Sequence, residues 1–137
     1  NLGFNFYMDE ISAGIGIEQL KKISKLNEKR KQIAKRYHNE LKYEYKMPFQ
    51  KDCSYHLYWI LVKNRSEFIN KMKLNGIETG THYSPVHLMS YYKSKIKLPI
   101  TEQVGKEIVT LPMHANLSDK NVNKIIKTAN KIYEQSQ

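Results

Sequence analysis

From Asp9 onward the apolar residues return every three or four positions, at Ile11, Ile15, Leu20, Ile23, Leu26, Ile33, Tyr37 and Leu41, which is the period of a helix with one buried face. The spacing predicts one long helix or two in series, with Lys21 to Lys42 the more secure half. Gly14 and Gly16 each weaken the first turns by up to ~1 kcal/mol relative to alanine, so their presence suggests close packing against another backbone. Between Lys42 and Asp52 the pattern dissolves, and Pro48 sits in a polar connection.

The period then changes. Tyr55 to Val62 is rich in aromatic and branched residues over the length of a strand, and reads as a buried strand with Trp59 packed inside. Ser66 is placed to cap a helix from Glu67 to Leu74, which carries Phe68, Ile69 and Met72, and Gly76 supplies a left-handed stop. Ile77 to Tyr83 can form a second strand and Ile108 to Leu111 a third. Between them Met89 to Lys93 suits a helical turn, and Thr101 can cap a short helix through Lys106. Ser118 caps a final helix whose apolar positions are Val122, Ile125, Ile126, Ala129 and Tyr133. The expected fold class is therefore α/β, of the α+β kind: residues 1–137 as one domain, with helices packed on a short, mainly antiparallel sheet.

Size agrees with this. At 137 residues the chain suits one core, able to bury roughly two-thirds of the unfolded surface. No apolar run approaches the ~18 residues of a membrane-spanning helix, and no leader pattern opens the chain, so a cytoplasmic location is expected. The opening Asn1-Leu2-Gly3-Phe4 reads like the interior of a longer protein. The single cysteine, Cys53, excludes an internal disulfide and any zinc site built on several thiolates.

The formal net charge of +10 admits a basic module that binds nucleic acid or another polyanion. The charge is nearly all lysine, spread from Lys21 to Lys131 between apolar positions at helical spacing. A solvated helix face accounts for it, and no nucleic-acid or membrane partner is expected. A purely structural dimerisation domain is a third reading.

One constellation could carry chemistry: His82-Tyr83-Ser84-Pro85-Val86-His87, where a predicted strand runs out into a loop. Two imidazoles, a phenol and a hydroxyl can bond sugar hydroxyls or phosphate oxygens, and Pro85 stiffens the loop that presents them. A structural turn with satisfied histidines explains the same residues. A metal site does not follow, because the histidines stand five apart with no recognisable ligand set nearby. His56 and His114 read as core or loop histidines and His38 as solvated. Cys53 and His56, three apart on an extended chain, would face opposite ways, and no Gly-rich phosphate loop is present.

In order along the chain, several segments resemble the DegT/DnrJ/EryC1/StrS aminotransferases, which place amino groups on nucleotide-linked sugars. They are Gly3-Phe4-Asn5-Phe6-Tyr7-Met8, then Asp9 to Leu20, Arg30 and Tyr37, Ser54 to Tyr58, Gly76-Ile77 leading to His82-Tyr83 and Pro85-x-His87, and finally Leu111-Pro112-Met113 with Leu117-Ser118. The resemblance implies the small C-terminal domain of a fold-type-I, pyridoxal-phosphate-dependent enzyme. Its N-terminal cofactor domain would lie upstream of this chain. It implies that Asn5 reaches the cofactor phosphate across a homodimer interface, that His82, Tyr83 and His87 face the sugar nucleotide, and that glutamate is the typical amino donor.

Tyr7 stands where the family usually has arginine, which keeps a donor but loses a fixed, forked charge. The family's Schiff-base lysine, pyridinium-binding carboxylate and ring-stacking aromatic all precede Asn1. None of the lysines here has a matching context, so no catalytic residue and no cofactor bound to this chain alone are expected.

Overall fold

The computed structural model describes residues 7–92 and 95–136. Its order is α1 (Glu10–Glu40), β1 (Tyr58–Leu61), α2 (Arg65–Leu74), α3 (Pro99–Glu107), β2 (Ile108–Leu111) and α4 (Asp119–Glu134), with single 3-10 turns at Val86–Leu88 and Ser90–Tyr92. This is the expected mixture of helices and a short antiparallel sheet behind a long N-terminal helix.

The first helix is continuous over 31 residues. Asp9 caps it by accepting the Ser12 backbone N–H at 2.8 Å. At its other end Asn130 of α4 donates to the Glu40 carbonyl and accepts from the Lys42 N–H, so a side chain of one helix closes the end of another. Only the second half of α1 is buried, at Ile33, Ala34 and Tyr37. Ile11, Ile15, Ile17 and Leu20 are all more than half exposed. No described atom comes within 4 Å of where a Cβ would stand at Gly14 or Gly16. The close packing expected there is therefore not supplied by the described residues.

β1 and β2 pair antiparallel, Tyr58 with Leu111, Trp59 with Thr110, and Ile60 with Val109. Because side chains alternate across a sheet, Tyr58, Ile60, Val109 and Leu111 enter the core, while Trp59 and Thr110 face the opposite side. Trp59 is consequently half-buried and not in the core, contrary to expectation. The core is completed by Phe68 and Met72 of α2 and by Val122, Ile125, Ile126, Ala129 and Ile132 of α4. Tyr37 and Tyr58 meet edge-on at 5.1 Å, and Tyr43 contacts Tyr133 at 4.9 Å. Each buried phenol finds an acceptor: Tyr37 donates to the Pro112 carbonyl, Tyr43 to that of Ala129, and Tyr58 to that of Met47.

Several sequence expectations change for local reasons. The strand is confined to Tyr58–Leu61, because Tyr55 takes a left-handed φ of 51° and its hydroxyl is tied back to Gln50. His56 then lies exposed in the connection rather than in a strand. The segment 77–83 makes only one bridge, Gly80 with Thr110, before turning away. α2 begins at Arg65, with Ser66 inside its first turn, while Gly76 adopts the expected left-handed φ of 68°. α3 is entered through Leu98 and Pro99 rather than capped by Thr101. Two 3-10 turns replace the helical turn expected over Met89 to Lys93, whose last residue lies outside the described residues. Ser118 caps α4 as expected, but Ile132 is its buried residue near the end and Tyr133 is only half-buried. His38 is half-buried near Phe49 with its Nδ1 enclosed and unpartnered, not solvated.

Candidate functional site

The segment from Gly80 to Tyr92 starts alongside β2, where Gly80 bridges to Thr110, and is fastened at four places. Gly80 exchanges backbone hydrogen bonds with Thr110 at 3.0 and 2.8 Å. His82 Nδ1 lies 2.7 Å from Thr110 Oγ1. Pro85 packs on Gly105 of α3, where an added Cβ would come within 2.6 Å of the proline ring. His87 Nε2 lies 3.2 Å from Glu102 Oε1. The threonine hydroxyl that holds His82 is buried, since Thr110 is only 4% exposed.

Glycine is required where this chain runs tightest. At Gly80 a Cβ would stand 2.5 Å from His82 Cε1 and 2.9 Å from Thr110 Oγ1. The imidazole folds over the glycine to reach the threonine, an arrangement any side chain would displace.

Both imidazoles are thus held through a single nitrogen by different elements, His82 by β2 and His87 by α3. Among the described residues, neither His82 Nε2 nor His87 Nδ1 makes a hydrogen bond. Tyr83 is 68% exposed and meets the His82 ring edge-on at 4.9 Å. The structure therefore places all three of His82, Tyr83 and His87 on one anchored segment. Asn5, the remaining expected site residue, lies outside the described residues. Thr110, Glu102, Gly80 and Gly105 escaped sequence reasoning, and only Thr110, a polar residue inside an Ile-Val-Thr-Leu strand, left a local signal.

Around this segment the surface is unusually apolar. Val86, Leu88, Tyr91, Tyr92, Ile96 and Ile100 are all more than half exposed, a concentration that marks a surface made to be covered. A separate cavity of about 670 Å³ opens among Tyr43, Val62, Phe68 and Tyr133, and none of the histidines lines it. Lys120, Lys124 and Lys127 line a shallow groove on α4, spaced as one solvated helix face.

A pyridoxal-type cofactor requires a lysine that can be desolvated and is free to attack. Among the described residues one lysine, Lys46, has its pKa pushed down by burial, and its ammonium is bonded to the Leu41 carbonyl behind α1. No three His, Cys, Asp or Glu side chains among the described residues come together as metal ligands. No described helix is long and apolar enough to cross a membrane. What the anchored segment can do is bind, through two imidazoles, a phenol and surrounding apolar surface.

This fold is shared with aminotransferases of known structure. The sequence model of the DegT/DnrJ/EryC1/StrS aminotransferase family matches residues 1–130, and the chain belongs to that family. Helicobacter pylori PseC, an aminotransferase involved in the biosynthesis of pseudoaminic acid, is 29% identical, with a TM-score of 0.86 over 98% of this chain and 40% of that one. NtdA from Bacillus subtilis, solved with bound cofactor PMP, is 25% identical, with a TM-score of 0.90 over 98% of this chain and 34% of its own. The uncharacterized protein MJ1066 of Methanocaldococcus jannaschii is 30% identical over 98% of this chain and 39% of its length. The chain spans about two-fifths of the relatives it matches.

Proposed function

We propose that this chain is the C-terminal domain of a pyridoxal-phosphate-dependent aminotransferase acting on nucleotide-linked ketosugars, and that it contributes the sugar side of the active site. One observation carries the reading: on the anchored segment Gly80–Tyr92, two imidazoles are each held by one nitrogen and keep the other without a partner among the described residues. A structural turn would leave these nitrogens to water, whereas a polyhydroxylated ligand can use them as fixed donors and acceptors. His82, Tyr83 and His87 face the sugar nucleotide in this reading, and Asn5 donates its amide to the cofactor phosphate across a homodimer interface.

When bound, the cofactor supplies reversible storage of the amino group, taken from a donor such as glutamate. The lysine it requires belongs to an N-terminal cofactor domain. This chain's own residues orient the ketosugar and exclude water beside it. The exposed apolar positions of α1 and of the Val86–Ile100 surface are where the cofactor domain and second subunit dock. The reaction belongs to amino-sugar formation for surface polysaccharide, in the cytoplasm.

The test is to replace His82 and His87 by alanine in the full-length, cofactor-loaded enzyme. The reading expects the half-reaction with ketosugar to weaken about tenfold or more per lost hydrogen bond pair, with the glutamate half-reaction unchanged. A dimerisation domain would tolerate both changes. A basic binding module would instead be exposed by retention on a polyanion column, with log affinity falling linearly with log salt.

A further inference from the structure

Glu102, which anchors His87, occupies the junction between the anchored segment and α3. Its Oε1 accepts the Leu98 N–H at 3.0 Å, and its own N–H donates to the Leu98 carbonyl at 2.8 Å, which closes the first turn of α3. The same oxygen lies 3.2 Å from His87 Nε2. The His87 side chain is 11% exposed, while that of Glu102, at 29%, stays open to water on one side. Pro85, packed on Gly105 three residues further along the same helix, holds the loop side of the contact.

The chemistry of the pair dictates a proton position. The Leu98 N–H, and after it His87, hold the Glu102 carboxyl below its ordinary value, so at neutral pH it is a carboxylate, which can only accept. His87 Nε2 must then carry a proton. In the neutral ring this leaves Nδ1 as a lone pair, unpartnered among the described residues. An imidazole held this way is an acceptor for a ligand O–H.

We infer that Glu102 is a positioning residue: it fixes the neutral His87 ring as the Nε2–H tautomer, so that Nδ1 accepts a hydrogen bond from a hydroxyl of the substrate sugar. The tautomer follows from the pair alone, while the sugar contact rests on the reading of His87 given above. Sugars lacking a hydroxyl at that position would lose the contact, which makes Glu102 an indirect determinant of specificity.

The experiment uses the full-length enzyme labelled with nitrogen-15 histidine. In alkaline solution, with the ring neutral, His87 should show a protonated Nε2 and an unprotonated Nδ1. Glu102→Ala should convert this to a mixture of tautomers. Glu102→Gln retains an acceptor oxygen for both partners and should preserve part of the preference. An Nδ1–H ring in the unmodified enzyme, or an unchanged signal in Glu102→Ala, would overturn the inference whatever the substrate.

Turnover of a uridine- or thymidine-diphosphate-linked 4-keto-6-deoxyhexose separates this from failure of the underlying reading. Glu102→Ala should raise KM for the sugar about tenfold, the size of one hydrogen bond, with kcat changed less than about twofold. If His87→Ala leaves that KM unchanged, the sugar-facing reading of His87 fails. If His87→Ala raises it and Glu102→Ala does not, the positioning role fails.

Discussion

At Gly80 and Gly105 the absence of a side chain is a condition of the site. Gly105→Ala would drive a methyl into the Pro85 ring at 2.6 Å, and a proline ring cannot rotate aside. The expected cost is ~1–3 kcal/mol, read as a lower urea midpoint. Gly80→Ala meets only side-chain atoms of His82 and Thr110, so the imidazole moves instead. The expectation is a loss near ~1 kcal/mol for the broken hydrogen bond, with a raised KM for the sugar. The two glycines thus test different things, one the seat of the loop and the other the aim of a histidine. The buried phenols give a pH prediction. Burial pushes Tyr37, Tyr43 and Tyr58 well above the ordinary phenol value. Below about pH 10 folded and unfolded chains both keep these protons; above it the unfolded chain loses protons that the folded chain retains, so stability falls. Urea midpoints should be level from about pH 7 to 9 and drop by pH 11, and an unchanged midpoint at pH 11 would contradict this. At this scale the sequence was a partial guide. His82, Tyr83 and His87 stood out because their chemistry is written in their residue types; Thr110 left only the faint signal of a polar residue in an apolar strand, and Glu102 became visible only when the fold brought it to His87 across 15 residues of chain.

Helices were legible because their period is local; strands were less so, because pairing is not, although Ile108–Leu111 lies where the sequence predicts it. α1 and α4 follow directly from apolar spacing, and the Ser118 cap lies where its side chain requires. The segment from Ile77 to Tyr83 has strand composition, but a single bridge to Thr110 is all the pairing it makes. Tyr55 similarly ends a plausible strand through one left-handed residue. α1 carries the most instructive disagreement. Its first turns combine glycines, which weaken a helix, with isoleucines that bury nothing here. Within this chain alone, Gly14→Ala should stabilise the helix by ~0.5–1 kcal/mol, since the methyl meets open space. On the proposed reading, the same substitution in the full-length enzyme should lower stability or dimer affinity, because a backbone is expected where the methyl would go. Hydrogen exchange gives a second reading. Amides from Ile11 to Ile23 should exchange quickly in the isolated chain and become protected in the full-length protein, while those of α4 stay protected in both.

The whole molecule combines one closed core with two exposed apolar surfaces. The core consists of aromatic and aliphatic residues between the later half of α1, the sheet, α2 and α4. The exposed surfaces are the first turns of α1 and the apolar surface around Val86 to Ile100. The anchored histidines lie with the second of these, so on the proposed reading one surface serves both docking and ligand binding. This is the arrangement expected of a domain that completes a site whose covalent chemistry is housed elsewhere. The most direct measurement is a single-turnover comparison in the full-length, cofactor-loaded enzyme, with absorbance of the cofactor followed separately against glutamate and against a nucleotide-linked ketosugar. The account predicts that replacing His82 and His87 together by alanine slows the ketosugar half-reaction at least tenfold, roughly the worth of one or two hydrogen bonds, and leaves the glutamate half-reaction intact. Equal loss in both half-reactions, or loss in neither, would contradict it.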